Sequence, residues 1–127
     1  MRKCRRSLEA ARVLREFGSP SGTVDRAYFA MFDAAKAMGL AEGKQYPPCS
    51  KWLDTFGEIF AHTGRIEPGF FTHLREAYRL RKIAVYGFRE EDRISPAVAA
   101  EVLSKASEFV SMAESFIKGA GGESETQ

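Results

Sequence analysis

The stretch VDRAYFAMFDAAKAM, residues 24–38, decides the fold class of this chain. On a helical wheel it is apolar nearly all round, and its polar breaks are Asp25, Arg26, Asp33 and Lys36. A helix that is apolar on most sides must be covered by several other elements. We therefore predict a central helix, whose many alanines would let a neighbouring helix approach closely.

Helical periodicity and helix-start signals divide the rest of the chain. Ser-Pro pairs at 19–20 and 95–96 are typical of helix starts. Five segments are predicted to be helical: about 3–17, 20–38, 50–61, 68–86 and the segment from Pro96. Gly39–Pro48 is predicted to be a loop, and no window shows the alternation of a strand. These patterns predict an all-α fold, an up-and-down antiparallel bundle of four to five helices.

Length and composition set the domain count. The 127 residues are enough for one core, and we predict a single helical-bundle domain over residues 1–118. The end of the chain, GAGGESETQ, carries no apolar residue able to anchor it, so residues 119–127 are predicted to be a disordered tail. The net charge of +2 is too small to indicate a nucleic-acid binder by itself, although arginines crowd the start of the chain.

Cysteine and histidine usage indicates no metal or cofactor site. The two cysteines, Cys4 and Cys49, and the two histidines, His62 and His73, show no metal-ligand spacing. His73 is expected to lie at the edge of the core with one hydrogen bond. No stretch is long and apolar enough for a membrane span or a signal peptide. We expect a soluble cytoplasmic protein with reduced thiols, no metal and no cofactor.

The strongest candidate for a functional residue is Arg81, in the segment PGFFTHLREAYRLRKIAVY, residues 68–86. The wheel places Arg81 at the centre of an apolar arc, while Arg75, Arg79 and Lys82 fall on the opposite, solvated side. An arginine keeps its charge, so on an apolar face it snorkels to water, pairs with an acid or binds an anion. The preferred acid partner is Asp33, and all three outcomes stay open at this point.

Four pieces of the sequence resemble the HEPN family in order and spacing, over roughly residues 8–116. They are AYFAMFDAAKAM at 27–38, Gly43 and Lys44, HTGRI at 62–66, and LRKIAVYG at 80–87. The resemblance implies a helical bundle that pairs as a homodimer, with a cleft where the two arginine-bearing helices meet. It also implies an RNA- or nucleotide-directed function: many members are metal-independent ribonucleases, and small prokaryotic ones often work beside a minimal nucleotidyltransferase as a toxin–antitoxin pair.

The family signature is an arginine, a spacer of four to six residues and a histidine, and this chain departs from it. Arg81 occupies the arginine position, but Tyr86 stands where the histidine is expected. The resemblance therefore implies Arg81 and Tyr86 as catalytic candidates, and we place Arg81, Lys82, Arg79 and Asp33 in the substrate-binding set. A phenol keeps its proton at neutral pH, so it can donate a hydrogen bond but is a poor base.

Two hypotheses follow from this departure. In the first, the protein is an RNA-directed homodimer with weak ribonuclease activity or none, in which Arg81 binds phosphate. In the second, it is a non-catalytic helical dimer that binds a nucleotide or a protein partner, and Arg81 holds the interface through a carboxylate. Arg81 and Tyr86 point about 140° apart on an ideal helix, so they converge only if the helix ends or bends, or across a dimer.

Overall fold

A computed structural model describes residues 1–43, 49–87, 89 and 92–126. At residues 49–50 and 120–126 it describes the backbone alone. Within these residues the chain forms five α-helices and no strand, so the predicted all-α bundle is confirmed. The helices are α1 (Arg2–Glu16), α2 (Pro20–Ala41), α3 (Cys49–Phe56), α4 (Pro68–Tyr86) and α5 (Pro96–Thr126). A π-helical segment, Gly57–Ala61, continues α3.

Two helices extend beyond their predicted ends. α2 continues through Gly39, which is buried, to Ala41, because packing outweighs the low helix propensity of glycine. The predicted loop therefore begins later, and residues 44–48, including Lys44, lie outside the described part of the chain. The backbone of α5 is helical to Thr126, across most of the segment predicted to be a disordered tail. The division into a domain over 1–118 and a tail over 119–127 stays a prediction.

The contacts between helices fix their directions. Arg81 of α4 contacts Asp25 of α2, and further along α2 the ring of Tyr28 packs against that of Tyr78. Residue numbers therefore rise along α2 as they fall along α4, and the two helices are antiparallel. α1 is antiparallel to α2 and to α5, as shown by the pairs Lys3–Asp33 and Arg5–Glu114. The end of α4 consequently lies beside the beginning of α2.

α2 packs extensively against α5 as well as against α1. α2 and α5 both bury alanines completely or almost completely: Ala27, Ala30, Ala34, Ala35, Ala99, Ala106 and Ala113. Because methyl side chains occupy little space, the two helix axes can approach closely. α1 and α4 then cover the remaining sides of α2, as its nearly continuous apolar surface requires.

Aromatic residues close the far end of the bundle, where α2 ends. Trp52, Phe56 and Phe60, from α3 and the π-helical segment, are fully buried. The Phe56 ring lies 5.8 Å from that of Phe109, and the Phe60 ring lies 5.3 Å from that of Phe116. These contacts anchor the short helices to α5 and leave the end of the bundle near Arg81 free of them.

Gly87 ends α4 in a tight contact. Its amide nitrogen donates a hydrogen bond to the Ile83 carbonyl oxygen at 2.8 Å. A Cβ at this position would lie 2.5 Å from that oxygen and 2.7 Å from the Cβ of Asp92. The chain can therefore turn back toward α5 at this point because residue 87 has no side chain.

We predict that Gly87→Ala lowers the free energy of unfolding by about 1–3 kcal/mol, because the added methyl group would collide with backbone that cannot move aside. Gly69→Ala, at the other end of α4, is the matched control, since a Cβ there meets nothing within 4 Å. It should leave stability unchanged or raise it by up to about 1 kcal/mol. Urea denaturation of both variants measures the difference, and equal stabilities would contradict the predicted collision.

Candidate functional site

Arg81 lies at the edge of the buried face of α4, five residues before the end of the helix. The buried residues of that face are Leu74, Ala77 and Leu80, so Arg81 does not lie at its centre as the wheel predicted, and Val85 is exposed. The Arg81 side chain is 24% exposed, and its Nε donates a hydrogen bond to Asp25 Oδ1 at 3.1 Å. The side chain therefore pairs with an acid while staying within reach of water.

The prediction that Asp33 would be the acid partner of Arg81 is wrong. Asp33 lies 3.8 Å from the Lys3 ammonium nitrogen of α1. It follows Asp25 by about two turns of α2, or roughly 12 Å along the axis. Because α4 is antiparallel to α2, its last turns meet the first turns of α2, and Asp33 is too far along. The assignment of Asp33 to the substrate-binding set stays a prediction, at a place separate from Arg81.

Asp25 holds a second arginine. Arg26 donates from Nε and Nη2 to Asp25 Oδ2, at 3.2 Å and 3.0 Å. The guanidinium carbons of Arg26 and Arg81 lie 4.8 Å and 5.0 Å from the centre of the Phe29 ring. We call Asp25, Arg26, Phe29 and Arg81 the arginine cluster. It has two permanent positive charges and one carboxylate, so it carries an excess positive charge at neutral pH.

The guanidinium group of Arg81 forms a hydrogen bond through only one of its three nitrogens in the described part of the chain. Its Nε bonds Asp25, and in the described part of the chain neither terminal nitrogen, Nη1 or Nη2, has an acceptor. The ring of Tyr28 lies 5.9 Å from the guanidinium carbon and supports it together with Phe29. The group is thus held through Nε, and the edge formed by Nη1 and Nη2, one of the two edges that can bind phosphate or carboxylate in bidentate fashion, has no acceptor among the described residues.

Arg79 and Lys82 lie together on the outer side of α4, apart from Arg81. With Phe71, Arg75 and Tyr78 they line an open groove of about 690 Å³. The Nε of Arg79 donates to Glu76 Oε2 at 3.0 Å, and this hydrogen bond lowers the pKa of Glu76. The Lys82 nitrogen lies 5.1 Å from the centre of the Tyr78 ring. The structure therefore divides the predicted substrate-binding cations between two surfaces.

Tyr86, the second catalytic candidate, is the last residue of α4 and is 67% exposed. α4 is unbroken from Pro68 to Tyr86, so helix geometry directs Arg81 and Tyr86 about 140° apart. The two side chains do not converge within one chain. Val85 beside Tyr86 is also exposed, which gives the end of α4 two large side chains with an uncovered surface.

A further cleft, of about 440 Å³, lies between α2, α4 and α5. Met31, Leu80 and Val102 line it together with His73 and with four charged residues, Glu76, Arg79, Glu101 and Lys105, so Arg79 borders both this cleft and the groove. The Nδ1 of His73 is buried and has no hydrogen-bond partner among the described residues, so the predicted single hydrogen bond is not formed at that nitrogen. Within the same residues no group of three His, Cys, Asp or Glu side chains is placed to hold a metal ion.

Sequence reasoning from one helix at a time missed Asp25, Arg26 and Phe29. The signal that could have found them is topological. Because α3 is short, the four long helices α1, α2, α4 and α5 alternate in direction, so the end of α4 lies beside the beginning of α2. Asp25 is the acid in that first part of α2.

Among the described helices, none combines the length and the apolar character that a membrane span requires.

Comparison with known proteins places the chain in a family. The family model of the HEPN domain matches residues 1–116. A UPF0332 protein from Gloeobacter violaceus is 30% identical over 117 residues, which cover 92% of each chain. A UPF0332 protein from Pyrococcus horikoshii is 35% identical over 81 residues, which cover 61% of this chain and 57% of that protein. The resemblance noted in the sequence is confirmed over most of its length.

We predict that Arg81→Ala lowers the free energy of unfolding by about 1 kcal/mol or less. Removing one arginine does not strand a buried charge here, because Asp25 keeps Arg26 and is itself 25% exposed. Asp25→Ala should cost more than Arg81→Ala, since it leaves two guanidinium groups close to the same ring without a counter-charge. Urea denaturation of the two variants measures this order. A loss of several kcal/mol on Arg81→Ala would instead identify Arg81 as a residue that the fold requires.

Proposed function

We propose that this chain, which belongs to the HEPN family, acts as an RNA-directed homodimer in which Arg81 binds a phosphate of the RNA backbone. The proposal rests on the single hydrogen bond that holds Arg81 through one side of its guanidinium group. Asp25 bonds Nε, while the terminal nitrogens have no acceptor in the described part of the chain. A guanidinium oriented in this way can bind two phosphate oxygens at little cost in side-chain entropy.

A second copy of the chain would cover the end of α4. Val85 and Tyr86 are exposed there, although both are large side chains that are commonly buried at interfaces. In a pair related by twofold symmetry, Tyr86 of one protomer can approach Arg81 of the other, which the geometry of one helix forbids. Homodimerisation is a property of the family, and we propose it here because it would bring the two motif residues into one cleft.

Cleavage in such a cleft would be weak. Metal-independent cutting of RNA requires the 2′-hydroxyl to be deprotonated or oriented, and the charge on the phosphate oxygens to be stabilised. Arg81 supplies the second requirement. Tyr86 can orient a group by donating a hydrogen bond, but a phenol that keeps its proton at neutral pH is a poor base. We therefore propose that RNA binding is the main activity, with slow cleavage at most.

By analogy with small prokaryotic members of the family, we propose a minimal nucleotidyltransferase as the partner protein in a toxin–antitoxin pair. The second candidate function is a non-catalytic dimer that binds a nucleotide or a protein partner. The Arg81–Asp25 ion pair favours it, because an arginine already paired with a carboxylate can serve as a structural contact. RNA binding by the purified protein separates the two candidates.

We predict that Arg81→Ala weakens binding of a fluorescently labelled single-stranded RNA 12-mer by at least about tenfold, because a charge-assisted bidentate contact contributes more than about 1.4 kcal/mol. The matched control is Arg65→Ala. Arg65 also pairs with one acid, Glu42, and stacks on aromatic rings, but at the opposite end of the bundle. Fluorescence anisotropy measures both variants, and equal affinities would remove Arg81 from the RNA site.

We also predict that Tyr86→His increases RNA cleavage, because an imidazole can accept a proton near neutral pH and a phenol cannot. Gel analysis of the labelled 12-mer in the presence of EDTA measures the cleavage. Tyr86→Phe is the control and should not gain activity. If Tyr86→His cleaves no faster than the wild-type protein, the end of α4 is not part of a cleavage site.

We predict that light scattering after gel filtration gives the mass of two chains, and that Val85→Glu shifts it toward one chain. A carboxylate in the middle of the interface would lose its hydration without a partner. Glu16→Lys, at the exposed last residue of α1, is a control for a change of surface charge. A single-chain mass for the wild-type protein would rule out a cleft built from two protomers.

A further inference from the structure

The arginine cluster differs from the other arginine–carboxylate pairs that the structure describes. Arg5, Arg12, Arg65 and Arg79 each pair with one acid: Glu114, Glu9, Glu42 and Glu76. Asp25, by contrast, is shared by two arginines, and each of its oxygens accepts from one of them. The cluster thus retains a positive charge that no described acid neutralises.

We propose that Arg26 and Arg81 together form a two-guanidinium clamp for phosphate oxygens, and that Asp25 is the positioning residue that holds both. The identity of the anion as an RNA phosphate rests on the proposed function. Arg26 is then a second phosphate-binding residue, contributed by α2. It is not part of the arginine motif of α4, and the sequence alone did not single it out.

Three features of the cluster suit it to an anion. The first is its charge, two guanidinium groups against one carboxylate. The second is its order, because both groups lie within 5.0 Å of the centre of one ring, Phe29, so their positions are set before the ligand arrives. The third is access, since the side chains of Arg26 and Arg81 are 40% and 24% exposed.

The bond pattern explains why Asp25 does not exclude the anion. Asp25 Oδ1 accepts a hydrogen bond from Nε of Arg81, which leaves the terminal nitrogens of Arg81 available for the ligand. Asp25 Oδ2 accepts from Nε and Nη2 of Arg26, which leaves Nη1 of Arg26 available for the ligand. A phosphate can therefore bind both arginines without displacing the carboxylate. Two cations kept together without Asp25 would repel each other and lose this arrangement.

Two probes test the clamp: inorganic pyrophosphate and a labelled single-stranded RNA 12-mer. The variants are Arg26→Ala, Arg81→Ala and the matched control Arg65→Ala, whose side chain is 42% exposed. Pyrophosphate should raise the Tm of the wild-type protein and of Arg65→Ala, because a ligand that binds the folded state stabilises it. It should not raise the Tm of Arg26→Ala or Arg81→Ala. Arg26→Gln, which keeps most of the aliphatic stem, should behave like Arg26→Ala and controls for misfolding.

With RNA, Arg26→Ala should reduce affinity at least about tenfold and lower the slope of log affinity against log salt by about 0.7, the value for one lost phosphate contact on a single strand. If both Arg26 variants match Arg65→Ala with both probes, the clamp is overturned, while a continued dependence on Arg81 keeps the proposed function. If the wild-type protein binds no RNA, but pyrophosphate protection still requires Arg26 and Arg81, the RNA function fails and the clamp stands.

Discussion

The close contact between α2 and α5 is the constraint on which the rest of the structure depends. Buried alanines on both helices allow the two axes to approach, and this brings the central helix α2 against its longest neighbour. With α5 on one side, α2 has room for α1 and α4 on its remaining sides. Since almost every side of α2 is then covered, its four charged residues lie at the edges of these contacts, where each is half-buried.

The position of Asp25 and Arg26 follows from this packing. They lie in the first turns of α2, at the end of the bundle that the aromatic residues of α3 do not close. α4 ends at the same place and brings Arg81 beside them. A permanently charged guanidinium can stay at such a site because it finds a carboxylate, two aromatic rings and partial access to water. Arg81, the charge that the helical wheel placed on an apolar face, thus lies at the edge of the core, and the arginine cluster keeps an excess positive charge.

The site differs from a simple reading of the family signature in two ways. Tyr86 replaces the histidine, and α4 directs it away from Arg81 within one chain. The proposed phosphate contact uses residues of one chain, whereas the proposed cleavage would require groups from two. The cations on the outer side of α4, Arg79 and Lys82, lie in a separate groove, and Arg79 is tied to Glu76. In the proposed RNA complex they would contact a part of the ligand distant from the phosphate at Arg81.

The sequence by itself determined the helices, because the period of apolar side chains, Ser-Pro starts and glycine stops are local signals; the bounds of α4 agree with its prediction at both ends. It also singled out Arg81 as a charge on a mostly apolar face. Only the tertiary structure decided what Arg81 contacts. Its ion pair joins residues 56 positions apart, and which acid it meets depends on the direction of α4 against α2. Asp25 and Asp33 are the same residue type on one helix, so no local pattern distinguishes them, but antiparallel packing brings Asp25 alone beside Arg81.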